Sequence, residues 1–139
     1  MVRSALDFAV EEAALRGAKP KIVVVWEIPP AVVAGLAADS GFFEQSRDES
    51  RHHAEKIAAE AVARAAGLDP AVVCEPRVLE GHEARVILEE ARDASQVVVG
   101  SRGHGGFTGL LLGSISQQVV NHARCPVTVV PTPEHKGSE

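Results

Sequence analysis

Gly100-Ser101-Arg102-Gly103, nine further residues, and then Gly113-Ser114 make up the stretch of this sequence best suited to chemistry. Its glycines place bare backbone on either side of a long connection, where a ligand can approach closely. A short apolar strand, Gln96-Val97-Val98-Val99, leads into it, and a helix from about Ser114 to His122 leads out. A helix start presents unpaired N–H groups and the positive end of the helix dipole, so the matching ligand is an anion, above all a phosphate. Arg102 adds a guanidinium that either meets that phosphate or sits on the surface. His104 and Phe107 read as a solvated loop histidine and a packing residue.

Carboxylates are missing from the same region. Between Asp93 and Glu134 there is no Asp or Glu, although acidic residues outnumber basic ones by 19 to 14 over the chain. The region offers no carboxylate to hold a metal or activate a water, so binding is expected rather than catalysis. Slow hydrolysis of a bound phosphate compound stays open only if Asp7 or Asp39 approaches in space. Known phosphate motifs do not fit. A P-loop needs Gly-x-x-x-x-Gly-Lys-Ser/Thr, and Gly109 to Ser114 has neither the spacing nor the lysine. The dinucleotide fingerprint forced onto Gly103 to Thr108 ends in Thr and follows the wrong strand.

The elements that must position this segment alternate along the chain. A helix is expected over 2–16 and ended by Gly17. A strand over 22–26 is stopped by Pro29-Pro30. A long amphipathic helix runs from about Phe43 to Ala66 and ends at Gly67. The next strand spans 71–79, and Pro76 inside it predicts an edge position, because proline cannot donate to a ladder. A helix over 82–93 follows, then the glycine segment, and a last strand over 127–130. Phe42-Phe43 read as a helix-start staple and Trp26 as core. His52 and His53 are adjacent on a polar helix, point to different faces, and so cannot share a metal.

Composition sets further bounds. With 139 residues and 45% hydrophobic content the chain is one domain, 1–131, followed by a polar tail over 132–139. A net charge of −5 argues against nucleic acid. No apolar run approaches the length of a membrane span, and Met1 leads at once into a helical pattern bearing Asp7, Glu11 and Glu12, so a cytoplasmic protein without a signal peptide is expected. Cys74 and Cys125 read as reduced strand or strand-edge thiols.

The pattern Gly-x2-Gly-x9-Gly-Ser, preceded by Val-Val-Val and followed by Cys125-Pro126-Val127-Thr128-Val129-Val130-Pro131, resembles the universal stress protein family. Nearly the whole chain agrees, including Leu6 to Ala13, Val24-Val25-Trp26-Glu27 and Glu80-Gly81-His82-Glu83-Ala84. The resemblance implies a flavodoxin-like or Rossmann-like α/β sandwich of five parallel strands in the order 3-2-1-4-5, usually dimeric, with many members binding ATP. It places phosphate and ribose contacts on Gly100, Arg102, Gly103, Gly113, Ser114, Ile115 and Ser116, and the base near the backbone of Val25.

One departure matters. The family begins with a strand and an Asp-Gly-Ser-like loop whose aspartate contacts adenine, whereas this chain starts inside the first helix. The strand so lost is the central one, between 22–26 and 96–99, and its absence exposes ladder groups on both neighbours. Direct pairing of those neighbours, a strand from elsewhere, and a truncated or mis-assigned start are the three outcomes, with truncation the expected origin. Binding of ATP, with or without Mg, is therefore expected to be weakened or absent in this chain. Two functions stay open: a nucleotide-binding stress-response module acting without rapid turnover, and a non-nucleotide scaffold that forms a homodimer through the strand Val127 to Val130.

Overall fold

Helix α1 (Ala5–Arg16) opens with a reciprocal cap. The Ser4 hydroxyl accepts the Asp7 amide N–H at 3.1 Å, and the Asp7 carboxylate accepts the Ser4 N–H at 3.3 Å. Gly17 closes it in the left-handed conformation at φ 63°, which a Cβ would strain. The computed structural model describes residues 4–28, 33, 40–101 and 112–131. Their elements continue with β1 (Lys21–Trp26), α2 (Ser40–Leu68), β2 (Glu75–Glu80), α3 (Glu83–Glu90), β3 (Val97–Gly100), α4 (Ser114–His122) and β4 (Val127–Val130). No described helix is long and apolar enough to cross a membrane.

All strand pairing is parallel, as βα repetition requires. β1 pairs with β2 from Lys21 opposite Glu75 to Trp26 opposite Glu80, and β3 pairs with β4 from Val97 opposite Val127 to Gly100 opposite Val130. Among the described residues these are two separate two-stranded sheets. Direct pairing of the strands over 22–26 and 96–99, one of the three outcomes expected from sequence, is thus not what these residues adopt. A slot of about 510 Å³ lies between the sheets, lined by Val23 of β1, Val97 and Val99 of β3, Ala9 of α1 and Ile87 of α3. Lys21, at the start of β1, reaches Glu90 at 3.5 Å and Asp93 at 3.8 Å, just ahead of β3. Both sheets therefore begin at the same edge, and their carboxyl ends share the opposite one.

Alanines let the long helix approach the first sheet. Ala54, Ala58 and Ala65 on α2 are at most 3% exposed and repeat at helical spacing. Ala65 joins Val10, Ala13 and Val72 in one cluster, and Ala54 joins Trp26 and Ile28 in another, with Phe43 and Val78 packed on it. The Arg47 guanidinium lies 5.4 Å from the centre of the Trp26 ring and bonds Glu80 at 2.7 Å. Phe43 packs as core inside the first turn of α2, which starts at Ser40, before the expected helix start.

Other boundaries also differ from the sequence reading. Gly67 does not end α2, which runs one residue further before an Asx turn in which the Asp69 carboxylate accepts the Ala71 N–H at 3.0 Å. That turn removes 71–73 from β2, which begins at Glu75. Helix α3 stops at Glu90, and 91–93 form turns. Pro76 lies on β2 opposite Ile22 of β1, its strand partner among the described residues. The proposed tail over 132–139 lies outside the described residues.

Candidate functional site

Each end of the glycine segment is tied to the second sheet. The Ser101 N–H continues the ladder to the Val130 carbonyl at 2.9 Å, and the Ser101 carbonyl accepts the Gly113 N–H at 2.6 Å. The Ser116 hydroxyl, in the first turn of α4, donates to the Gly100 carbonyl at 2.5 Å. Two hydrogen bonds therefore clamp the exit of β3 to the start of α4 and bring Gly100, Gly113 and Ser116 together. Ser101 and Ser116 are buried, at 9% and 5% exposure. Arg102 and Gly103, two of the seven expected phosphate and ribose contacts, lie outside the described residues, as do His104, Phe107 and Asp39.

Gly113 is the N-cap of α4, with extended backbone at φ −71° and ψ 167° and no side chain to cap the helix. First-turn amides of a helix have no intrahelical acceptor, so those of Ser114, Ile115 and Ser116 are left for another one. Ser114 is exposed and Ile115 half-buried. The Ser114 hydroxyl is open to a ligand, whereas that of Ser116 already serves the backbone. No Asp or Glu stands in the first turn of α4 to compete for the positive end of the dipole.

Val25 lies apart from these residues, on β1 opposite Leu79 and half-buried. The end of its strand is closed by the Gly81 N–H, which donates to the Trp26 carbonyl at 2.9 Å. Gly81 has φ 147°, and a Cβ there would lie 2.8 Å from both Arg85 and Val86. Glycine is required at this corner. Ser101 and Gly81 shape the site without having been singled out for it. The signal for Gly81 was its place between a strand and a helix entry; for Ser101 the sequence offers none, since its role is carried by backbone atoms.

Acid–base chemistry finds little support among the described residues. Asp7 is engaged by Arg64 of α2 at 2.9 Å as well as by Ser4. Burial opposes its charge, but the Ser4 N–H and the Arg64 guanidinium outweigh that and hold the carboxyl below its ordinary value. It is an ionised structural tie between two helices. His52 is exposed beside Glu55, and no group of described His, Cys, Asp or Glu residues could hold a metal ion. Cys74 and Cys125 are free and half-buried, ahead of β2 and β4, and burial raises the Cys74 thiol above its ordinary value, which keeps it protonated and unreactive.

Parallel βα units, with the Gly113 start of α4 clamped to the exit of β3, define an α/β protein of the flavodoxin-like type. The chain matches the Universal stress protein family over residues 3–131 and belongs to it. A universal stress protein of Thermus aquaticus is 35% identical over 130 residues, covering 92% of this chain and 88% of the relative. One of Mycolicibacterium smegmatis is 37% identical over 130 residues, which is 91% of this chain and 40% of that protein. This chain thus spans less than half the length of the mycobacterial relatives it matches. Among solved structures, UspA of Lactobacillus plantarum superposes with a TM-score of 0.72 at 22% identity, covering 91% of this chain and 86% of that one. A universal stress protein in complex with cAMP superposes at 0.62 with 26% identity, over 93% and 86% of the two chains. The Archaeoglobus fulgidus protein in complex with dAMP superposes at 0.59 with 22% identity, over 94% and 91%. Adenine nucleotides are therefore ligands of two structural neighbours.

Proposed function

We propose that this chain is a stress-response module whose glycine turn binds the phosphates of an adenine nucleotide and which acts through occupancy rather than rapid turnover. The observation that carries this is the clamp formed by Gly113 N–H to Ser101 C=O and Ser116 Oγ to Gly100 C=O, which presents the uncapped start of α4 at the carboxyl edge of the strands. In this reading Gly100, Arg102, Gly103, Gly113, Ser114 and Ile115 face the phosphates, Ser116 positions them, and the backbone near Val25 meets the base. ATP, with or without Mg, is the ligand. Its adenine end is held weakly in this reading, because no residue of this chain matches the aspartate that the family resemblance sets against the base. Thermal-shift titration tests the reading. Mg-ATP and inorganic tripolyphosphate should stabilise the protein to a similar extent, at millimolar rather than micromolar ligand, and Ser114→Glu should abolish both effects. Strong stabilisation by micromolar Mg-ATP alone would show that the base dominates; no response to either ligand would overturn the assignment.

A second reading, a dimeric scaffold of the same fold, is favoured by β4. Among the described residues its only strand partner is β3, so the outer edge of Val127–Val130 is placed to pair with a second copy. In both readings residues 1–131 form one cytoplasmic domain with the strand order 3-2-1-4-5, a reading that the slot between β1 and β3 supports. Sedimentation of the protein with Val129→Pro tests the dimer. A dimer that becomes a monomer supports the edge contact, and an unchanged dimer argues against it.

A further inference from the structure

The groove between α3 and α4 gathers positive charge that the fold does not use. A cavity of about 400 Å³ there is lined by Arg85, Leu88, Glu89 and Arg92 on one side and by His122 and Arg124 on the other. Arg85, Leu88 and Glu89 share one face of α3 and Arg92 follows in the turn beyond its end, so Leu88 gives an apolar floor between two cationic ends. Three arginines face one carboxylate, and Glu89 is already engaged by Arg85 at 3.3 Å. Among the described residues, neither the Arg92 nor the Arg124 guanidinium has a hydrogen bond or ion pair. The second wall cannot neutralise them, since no Asp or Glu occurs between Asp93 and Glu134. In a chain of net charge −5 this is a local reversal of sign.

The place differs from the glycine turn. α4 begins at Ser114 and ends at His122, so the two ends of the helix are about 12 Å apart at 1.5 Å per residue. The groove opens near the far end. The carboxyl ends of α3 and α4 oppose an anion there with roughly half a charge each, partial charges that two full guanidinium charges outweigh. Arginine in particular suits phosphate, because its planar fork donates two parallel hydrogen bonds to adjacent oxygens.

We propose that the α3–α4 groove is a second anion site, in which Arg92 and Arg124 hold the phosphate of a small phosphorylated molecule and Leu88 underlies its organic part. The volume suits a compact ligand, and the acidic surface of the rest of the chain disfavours a nucleic acid. The test is amide chemical-shift titration at physiological ionic strength with two probes, inorganic pyrophosphate and glucose 6-phosphate, on three proteins: the natural chain, Arg92→Gln/Arg124→Gln and Ser114→Glu. Both substitutions lie on the surface, so the double variant should keep its fold, which its spectrum reports directly. Saturable shifts at Gln118, His122 and Arg124, weakened roughly tenfold or more in the double variant and retained in Ser114→Glu, support the site. A response to glucose 6-phosphate assigns an organic phosphate, and a response to pyrophosphate alone assigns an inorganic one. Equal affinity in the double variant, loss in Ser114→Glu alone, or no saturable shift with either probe would overturn it.

Discussion

The two halves of this molecule repeat the same strand and helix vocabulary but treat charge in opposite ways. Around β1 and β2, carboxylates and guanidinium groups link separate elements: Arg47 to Glu80 at 2.7 Å, Arg64 to Asp7 at 2.9 Å and Arg77 to Glu90 at 3.0 Å. Around β3 and β4, no ion pair among the described residues reaches beyond Asp93. Contacts there are backbone bonds, the Ser116 clamp, and the Gln96 amide donating to the Thr128 hydroxyl at 2.5 Å. One half uses charge to close itself; the other is kept free of carboxylates. An anion arriving at the start of α4 thus meets no competing acid, and in the α3–α4 groove the one lining carboxylate, Glu89, is engaged by Arg85 at 3.3 Å.

The strongest way to break this contrast is to remove the anchor of the first half. Trp26 is 9% exposed and carries both the Ile28–Ala54 cluster and the Arg47 contact. Trp26→Ala should cost about 3–5 kcal/mol in urea unfolding, and a loss well under that would mean the two halves are not distinguished by packing. Next in size is Ser116→Ala, which leaves the Gly100 carbonyl without its donor at about 1–3 kcal/mol. Hydrogen exchange should then quicken at 97–101 and stay unchanged at 75–80; equal acceleration in both sheets would show the clamp is not local.

Acid should act on the first half before the second. Bonding to Arg77, followed by the charge of Lys21, holds Glu90 below its ordinary value despite some burial, and Asp7 is lowered as well. A carboxyl whose folded pKa is depressed stabilises the fold above its unfolded value, about 4, and loses that contribution as pH falls through the lower folded value. Melting temperature should therefore drop below about pH 4–5, with protection lost in β1 and β2 first, and Glu90→Gln should flatten the profile. A profile unaltered by Glu90→Gln would contradict the role given to that residue. Smallest is Ser4→Ala, which removes the cap of α1 at about 1 kcal/mol, seen as a small fall in melting temperature with no change in ligand response.

Local signals carried most of what the sequence revealed. The glycine spacing located Gly113 as the cap of α4, and the helix ran over 114–122 as its pattern required. Pro76 lies inside β2, as the strand pattern around it required. Helix α2 passed through Gly67 since the glycine there takes no left-handed turn, and Asp69 ended strand propensity at 71–73 by a side-chain bond to Ala71. Other features depended on distant residues. Glu90 binds Lys21 from 69 positions away, and Arg92 and Arg124 converge only once α3 and α4 pack side by side. Periodicity cannot reveal such meetings. The separation of the two sheets among the described residues also lies beyond local signals, since strand order is a matter of distant residues.

The central claim is that amides at the start of α4 cradle negatively charged oxygen, and backbone chemical shifts report this directly. On titration with inorganic tripolyphosphate, the amides of Gly113, Ser114 and Ile115 should move in a saturable way, those of β2 should stay in place, and Ser114→Glu should remove the response. Shifts absent from 113–115, or present there undiminished in Ser114→Glu, would contradict the account.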